Sequence, residues 1–400
     1  MTEKTAASPG RRRPRDRKHQ IVLAASRQFR DKGYHNVSMS DVAAEVGITA
    51  GALYRHFAGK QELLFSAVSD GLAHVQAIAS DAADLDAFIA ATGRSSLERR
   101  GLPVLWSREA RHLSADKRAA LRPQLAAVES RVRDLLARER PDLDDADVDL
   151  VSWALIAALG SSGLHRISLS KHEFLRVHAG IMRQVVQAPL GTTADTIAPA
   201  PAHDRYTGIG LPRREQLIDH AIRLFDERGF QSVRMDDVGA AEGITGSSVY
   251  KHFSTKEELL ATAIRRGDEQ LRAGMSRALT EGSDSAEVRR ILLRSHTDFA
   301  LGNSRLIGML SSERAELPDK ERRVSERVLR DYLGVWTDVL RDENPALTPE
   351  VAKMMVDTAF TVTNNLVRMR LLRERRDLGD RILDINSSVM RYAGPTSHTD

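Results

Sequence analysis

One segment of about 45 residues occurs twice in this chain. Shifting the sequence by 196 positions aligns residues 20–64 with residues 216–260 without a gap, and 20 of the 45 positions are identical. Chance would give about three identities from twenty unevenly used residue types. The shared words include Gly-Ile-Thr at Gly47 and Gly243, and Tyr-x-His-Phe at Tyr54 and Tyr250. The chain is therefore expected to fold as two copies of one unit.

The duplication extends beyond this segment with weaker similarity. The stretch from Trp106 resembles the stretch from Leu310 and aligns Glu109 with Glu313, an offset of 204. Between the two halves, residues 189–211 are rich in Pro, Gly, Ala and Thr, which is typical of a linker.

The composition indicates an all-α protein. Ala, Leu and Arg are abundant and aromatic residues make up only 5% of the chain. The absence of cysteine excludes disulfides, thiolate catalysis and Cys-ligated zinc. No apolar run approaches the roughly 18 residues of a membrane span, and the N-terminus does not resemble a signal peptide. No nucleotide-binding, nucleophile or metal-ligand motif is present, so we expect no enzyme activity, cofactor or metal, and a cytoplasmic location.

The repeated segment reads as three short helices. Apolar residues in Ile21–Phe29 recur every four positions, and Gly33 ends that helix. Ser38–Asp41 has the pattern of a capping box for a second helix. Gly47 then supplies a tight turn and Thr49 caps a third helix. Two short helices joined in this way form a helix-turn-helix, whose second helix enters the major groove of DNA. The alternative is a helical hairpin used only for packing.

The segment resembles the DNA-binding domain of the TetR/AcrR family of bacterial repressors. The chain is similar, within that family, to an actinobacterial group in which two such units are fused. The residues that carry the resemblance are Gly33, Asp41-Val42-Ala43, Gly47-Ile48-Thr49, Tyr54-Arg55-His56-Phe57 and Lys60-Gln61-Glu62-Leu63-Leu64 in the first copy, and Gly229, Asp237-Val238, Gly243-Ile244-Thr245, Tyr250-Lys251-His252-Phe253 and Lys256-Glu257-Glu258-Leu259-Leu260 in the second.

This resemblance implies two tandem units, each with a helix-turn-helix head and a helical regulatory domain that binds a ligand. The predicted division is a disordered basic arm at 1–12, a first head at 13–60, a first regulatory domain at 61–188, the linker at 189–211, a second head at 212–256, a second regulatory domain at 257–394 and a tail at 395–400.

The DNA-binding candidates are the outward-facing residues of the third helix and basic or polar residues beside it. They are Arg13, Arg17, Ser38, Thr49, Ala50, Gly51, Tyr54, Arg55, His56 and Lys60 in the first head, and Arg213, Arg234, Thr245, Gly246, Ser247, Tyr250, Lys251, His252 and Lys256 in the second. Residues 11–60 carry a net charge of +7, whereas residues 212–256 are neutral. The first head is therefore expected to supply more of the salt-dependent affinity.

The second copy departs from the first at its caps. Arg234 replaces Ser38, so the capping box is expected to be lost there. Residues 254–257, with Ser254 as the cap, are expected to form a new box at the next helix. The reading residues also differ between the heads, which predicts an operator with two unequal half-sites.

The resemblance also implies a pocket for a small apolar effector, such as a lipid, a sterol or an acyl-CoA. The candidate lining residues are Trp106, Trp153, Phe299, Met309, Tyr332, Trp336, Phe360 and Asn364, with packed core as the alternative for each. Seven of the ten methionines lie in the second half, which favours that half as the sensor.

The resemblance implies a homodimer of such units, and one chain with two units can form the equivalent assembly alone. We expect residues 148–166, 173–186, 349–373 and 381–392 to pack as an intramolecular four-helix bundle. A monomer would then act as a pseudo-dimer, although a higher oligomer stays possible. The predicted function is a nucleoid-associated repressor of transcription that an effector releases from double-stranded DNA. The alternatives are a ligand-blind or architectural DNA-binding protein, or a chain in which only the first head reads DNA.

Overall fold

The computed structural model describes residues 14–99, 101–161, 168–191 and 212–394. This described part is helical and contains no strand, as the sequence predicted. The described residues of the first unit form nine α-helices: α1 Pro14–Lys32, α2 Met39–Glu45, α3 Ala50–Tyr54, α4 Lys60–Asp81, α5 Leu85–Glu98, α6 Leu102–Val104, α7 Ala115–Glu139, α8 Asp145–Ser161 and α9 Lys171–Val186. The second unit repeats the order: α10 Arg213–Arg228, α11 Met235–Ala241, α12 Gly246–Val249, α13 Lys256–Glu281, α14 Ser285–Gly302, α15 Ser304–Ser312, α16 Asp319–Glu343, α17 Pro349–Leu366 and α18 Leu378–Val389.

The first three helices of each unit enclose a small core of their own. In the first head Phe29, Val42 and Leu53 are fully buried, and in the second head Phe225 and Val238 are equally buried. Each core is closed by the start of the next long helix, α4 or α13, and by the segment around α6 or α15. The head is thus packed directly on its regulatory domain, so a displacement of the regulatory domain changes the packing of the head.

Glycines set the sharp turns of both heads at equivalent positions. Gly33 and Gly229 follow the first helix with φ of 81° and 79°, and Gly47 and Gly243 separate the two helices of the motif with φ of 67° and 71°. Side chains other than glycine are strained at such angles. The turn residues predicted from the sequence therefore have the backbone conformation that the motif requires.

The last two helices of each unit pack together into one four-helix bundle. Helix α8 lies along α17, and α9 lies along α18. Leu155 and Ile181 from the first unit and Met355 and Ile385 from the second belong to a single hydrophobic core. The predicted intramolecular bundle is therefore present. Its third helix is shorter than expected, because α17 ends at Leu366 and turns occupy the residues up to α18.

Polar contacts also join the units across this bundle. The hydroxyl groups of Ser161 and Thr358 lie 3.1 Å apart in the buried interior. Asp147 forms an ion pair with Arg375, and the backbone N–H of Gly191 donates to Asp384 at 2.8 Å. Of the helices described, none combines the length and apolarity needed to cross a bilayer.

Candidate DNA-binding heads and a cavity between the units

Helix α3 of the first head presents one polar face. Thr49 caps it, as predicted, by accepting a hydrogen bond from the backbone N–H of Ala52 at 3.2 Å. Leu53 faces the core and is fully buried, whereas Tyr54 is 54% exposed. Thr49, Gly51, Arg55 and His56 are also exposed, and Ala50 is partly exposed. The predicted reading residues of this head therefore share a free surface.

The second head differs at the same helix. The Thr245 hydroxyl is hydrogen-bonded to the hydroxyls of Ser247 at 2.9 Å and Ser248 at 3.0 Å, in place of a backbone cap. Gly246 is buried, because the Asp236 carboxylate lies against it. A Cβ at this position would be 1.7 Å from a carboxylate oxygen of Asp236. The prediction that Gly246 is an outward-facing reading residue is therefore wrong.

The remaining candidates of this helix keep the geometry of the first head. Tyr250 is 55% exposed, much as Tyr54 is, and Lys251 is also exposed. His252 is half-buried, unlike the exposed His56. The second head thus presents a face of the same kind with a different set of side chains.

The caps of α2 and α11 differ because Arg234 stands in the second head where the first head has Ser38. In the first head Ser38 accepts from the Asp41 N–H at 3.1 Å, and Asp41 accepts from the Ser38 N–H at 2.8 Å. The Ser38 hydroxyl also donates to the Asp41 carboxylate at 2.7 Å, and this bond and the one from the Ser38 N–H hold the pKa of Asp41 below its usual range. In the second head Asp237 still accepts from the Arg234 N–H at 2.7 Å, and no side chain caps the opposite way. Half of the box is kept, so the prediction of its loss was only half right.

The predicted new cap at the start of α13 is shifted by one residue. Thr255, rather than Ser254, is the cap and accepts from the Glu258 N–H at 3.0 Å. Glu258 in turn accepts from the Ser254 N–H at 2.7 Å. The predicted cap therefore lies one residue later, and the second hydrogen bond comes from the residue before the cap, so the predicted reciprocal box is not formed.

Lys60 and Lys256 point into their own heads. The Lys60 ammonium donates to the Val37 carbonyl at 2.8 Å and lies over the Tyr34 ring. Lys256 donates to the carbonyls of Phe230 and Val233, both at 2.9 Å. Burial lowers the pKa of both lysines. They tie each head to the following helix, in contrast to their prediction as DNA-binding residues.

The basic residues near the first helices are also partly committed. Arg17 donates to the Val46 carbonyl at 3.1 Å, and Arg213 pairs with Glu242 at 2.7 Å. Ser38 and Arg234 are exposed beside the reading helices. Arg13 lies outside the described residues, together with the predicted arm, most of the linker and the tail.

A buried glutamate joins each head to its regulatory domain. Glu109 accepts from the backbone N–H of Tyr34 at 2.8 Å, and Glu313 accepts from that of Phe230 at 3.1 Å. Both glutamates are 2% exposed. This equivalence confirms the weaker half of the sequence repeat. The side chain of His112, one turn after Glu109, is also buried, and chiefly this burial lowers its pKa to about 3.

The two glutamates form ion pairs with arginines at different positions in the repeat. Glu109 pairs with its neighbour Arg108, which also donates to the carbonyl of Arg30 at the end of α1, at 2.8 Å. Glu313 pairs with Arg111, which belongs to the first unit. Serine stands at position 312, where the repeat predicts the counterpart of Arg108. The second head is therefore held partly by the first unit.

A cavity of about 300 Å³ lies among α4 to α8 of the first unit and is closed by α15 and α17 of the second. Of the predicted effector residues, Trp106, Trp153 and Asn364 line it. Phe299, Met309, Tyr332, Trp336 and Phe360 do not, and they pack in the cores of the second unit. The cavity thus belongs mainly to the first unit, contrary to the expectation that the methionine-rich second half forms the pocket.

Two arginines of the cavity wall reach the heads. Arg108 contacts the end of α1, as described above. Arg368 donates to Asp226 on α10 at 2.9 Å. Arg108 belongs to a π-helical turn at Leu105–Glu109, a distortion often found at functional sites. Sequence reasoning missed both arginines, because their partners are remote in the chain.

Two regions of the chain match one family model. Residues 21–67 and residues 217–263 each match the family described as bacterial regulatory proteins, tetR family. The HTH-type transcriptional activator FasR of Mycolicibacterium smegmatis (strain ATCC 700084 / mc(2)155) is 39% identical over 102 residues, which are 25% of this chain and 47% of FasR. The match therefore spans about half the length of that relative.

Two further similarities are more distant. The HTH-type transcriptional repressor KstR2 of Rhodococcus jostii (strain RHA1) is 28% identical over 145 residues, 36% of this chain and 70% of KstR2. The crystal structure of a TetR-family transcriptional regulator from Bordetella parapertussis 12822 has 15% identity and a TM-score of 0.42, and the superposition covers 44% of this chain and 93% of that one. Since both heads match the family model and each is followed by the same order of helices, the chain contains two domains of the tetR family of bacterial regulatory proteins, fused in one polypeptide.

Proposed function

We propose that the protein is a transcriptional repressor whose single chain binds one DNA operator through both heads and is released by a small apolar effector. The observation that carries this proposal is the pair of exposed reading helices, α3 and α12, mounted on units that share one four-helix bundle. In dimeric helix-turn-helix proteins two such helices read half-sites spaced by about one turn of DNA. The site of action would be the cytoplasmic nucleoid.

The two heads are proposed to read different half-sites. Tyr54 and Tyr250 are similarly exposed and suit contacts to phosphate, which position a head without reading sequence. The carboxylate of Asp236 lies against Gly246, at a position where the first head has Ser40. A carboxylate accepts from the amino group of cytosine, whereas serine accepts from or donates to either base pair. An operator with unequal halves follows.

The cavity is proposed to bind the effector. Its wall combines apolar side chains, among them Trp106 and Trp153, with a few polar groups such as Asn364. That combination is typical of small-molecule sites, and lipids, sterols and acyl-CoA thioesters supply suitable apolar groups. Asn364 adds a side-chain amide to this wall, and an amide can donate to or accept from a ligand.

Effector binding is proposed to reach both heads from this cavity. A ligand that displaces Arg108 weakens its contact with α1, and one that displaces Arg368 weakens its contact with α10. Release of DNA then requires that the ligand bind the displaced arrangement more tightly than the DNA-bound one.

The binding mode is tested by the mass of the protein–DNA complex. A fragment from upstream of the protein's own gene is mixed with the full chain, and native mass spectrometry counts chains per duplex. We expect one chain per duplex, with two unequal protected segments in a footprint. Two chains per duplex would overturn the pseudo-dimer and leave a conventional dimer or an idle second head.

The effector is tested with a panel of fatty acids, acyl-CoA thioesters and sterols. A ligand of the folded state raises the melting temperature, and an effector also lowers affinity for the operator. We expect at least one compound to do both. If none does, the protein is a ligand-blind DNA-binding protein. Because the relatives include one named as an activator and one as a repressor, a promoter–reporter assay must also show that deletion of the gene raises expression.

A further inference from the structure

Four ring side chains fill the interior of the second regulatory domain. The rings of His296 and Phe360 stack with centroids 4.1 Å apart, and Trp336 meets Phe360 edge-on at 5.1 Å. The Tyr332 hydroxyl lies 3.3 Å from Nδ1 of His296. His296, Tyr332 and Trp336 are at most 5% exposed. Burial lowers the pKa of His296 to about 4, so its ring is neutral at pH 7 and packs as an uncharged group.

The internal repeat assigns counterparts to two of these rings. Helices α7 and α16 each contain 25 residues and begin 204 positions apart, as do the starts of α8 and α17. This offset places Tyr332 on Val128 and Phe360 on Ile156. Both rings of the second unit thus have smaller aliphatic side chains as counterparts in the first.

His296 has a small polar counterpart by either way of counting. The caps of α5 and α14, Asp84 and Asp284, lie 200 positions apart, whereas the ends of these helices lie 204 apart. Counting from the caps places His296 on Ser96, and counting from the ends places it on Thr92. These two residues are one helical turn apart on the same face of α5.

The counterparts of Tyr332 and Phe360, and both candidates for His296, line the cavity of the first unit: Val128, Ile156, Thr92 and Ser96. The same offset places Trp336 on Val132, so this position is packed in the core in both units. The positions that surround empty space in one unit therefore carry packed rings in the other. We propose that the second regulatory domain fills its own effector pocket with His296, Tyr332 and Phe360, so that each chain binds one effector, in the first unit. This inference rests on the proposed function and specifies its regulation: one binding event serves both heads.

The second unit instead closes the cavity of the first. Asn364 lies on the cavity wall. Its side chain also has a hydrogen-bonding interaction with His296, which raises the pKa of that ring and so opposes the effect of burial. The same helix, α17, thus has the ring cluster on one side and the cavity on the other. A packed cluster supplies a rigid wall, because close-packed interiors resist deformation.

The test counts binding sites with a defined probe, 1-anilinonaphthalene-8-sulfonate, in the absence of DNA. Its fused rings and sulfonate suit an apolar cavity with arginines in its wall. Native mass spectrometry gives the number of dye molecules per chain, and a fluorescence titration gives the affinity. The wild type is compared with a filled variant, Val128→Tyr with Ile156→Phe, and with an opened variant, Tyr332→Val with Phe360→Ile. Circular dichroism and a cooperative melt confirm that each variant is folded.

We expect one dye per wild-type chain, a loss of affinity of at least tenfold in the filled variant, and two dyes per chain in the opened variant. The single changes Ile156→Phe and Phe360→Ile replace the double ones if either variant is unfolded. Two dyes or none on the wild type, unchanged affinity in the filled variant, or a single dye on the opened variant would each overturn the inference. Because this count needs no DNA, it is independent of whether any ligand releases the operator, so failure of the proposed function is detected separately.

Discussion

Arg111 of the first unit forms an ion pair with Glu313 of the second, and the two side chains are only 15% and 2% exposed. Glu313 also accepts the Phe230 N–H at the base of the second head, and Arg111 donates to Ser312 at 2.7 Å. The pair therefore links the first regulatory domain to the second head. Burial raises the pKa of Glu313, and the charge of Arg111 opposes that rise.

Replacing Arg111 with methionine should destabilise the protein strongly. The substitution leaves the Glu313 carboxylate buried without a cation, a change that typically costs about 3–5 kcal/mol. Urea unfolding at pH 7 measures the loss. Arg376→Met, at an exposed position, is the matched control and should cost less than about 0.5 kcal/mol.

The double variant Arg111→Met with Glu313→Gln removes the buried charge and keeps a side-chain oxygen that can accept the Phe230 N–H. Because no uncompensated charge is left, the double variant should be more stable than Arg111→Met alone. A single variant as stable as the wild type would show that the pair is not desolvated as the structure has it.

Gly229 and Gly33 form a matched pair for the contact between the units. Both have φ near 80°, so alanine is strained at either position. A Cβ on Gly229 would also lie 2.7 Å from the His112 ring of the first unit, whereas the nearest atom at Gly33 is 4.0 Å away. Gly33→Ala should cost about 1–3 kcal/mol from backbone strain, and Gly229→Ala should cost more. Equal losses in thermal unfolding would contradict the close approach of the second head to His112.

Burial of His296 should make the protein less stable in mild acid. The pKa is about 4 in the folded chain against an ordinary value of 6.5, so between these values the unfolded chain binds a proton that the folded chain does not. Stability contributed by the neutral ring is therefore complete above pH 6.5 and is lost as the pH falls towards 4. The loss is about 2 kcal/mol at pH 5.

His296→Phe should remove this dependence. Its free energy of unfolding, measured in urea at pH 7 and pH 5, should fall by about 2 kcal/mol less than that of the wild type. Loss of the hydrogen bond to Tyr332 affects both pH values alike and does not disturb the comparison. His172→Gln, at an exposed position, should retain the full fall. An identical fall in His296→Phe would mean that the ring is already accessible to protons.

The heads followed from the sequence because local patterns determine them, whereas the bundle followed from the resemblance to a family of homodimers. Gly33, Gly47 and Thr49 have conformations set by their own chemistry. The repeat supplied the rest, including the equivalence of Glu109 and Glu313.

The cavity did not follow from the sequence, because empty space depends on which side chains meet across helices. Trp336 and Trp153 are both tryptophans within helices, and the sequence predicts either one as a core or a pocket residue. Trp336 is buried in the ring cluster, whereas Trp153 lines the cavity. The inward direction of Lys60 was equally hidden, since its partners are carbonyl groups and carry no sequence signal.

Substitution of Tyr54 and Tyr250 tests whether both heads bind DNA. Each hydroxyl is on an exposed ring beside a reading helix, with exposed fractions of 54% and 55%. If each donates to a phosphate, Tyr54→Phe and Tyr250→Phe should each weaken operator binding by about 3- to 10-fold, the equivalent of one hydrogen bond. The free energy of unfolding should stay within about 0.5 kcal/mol, because an exposed hydroxyl contributes little to folding. Fluorescence anisotropy with a labelled operator measures the affinity, and the double variant should show the product of the two effects, since the sites are separate. A loss confined to Tyr54→Phe would favour a silent second head, consistent with the neutral charge of residues 212–256.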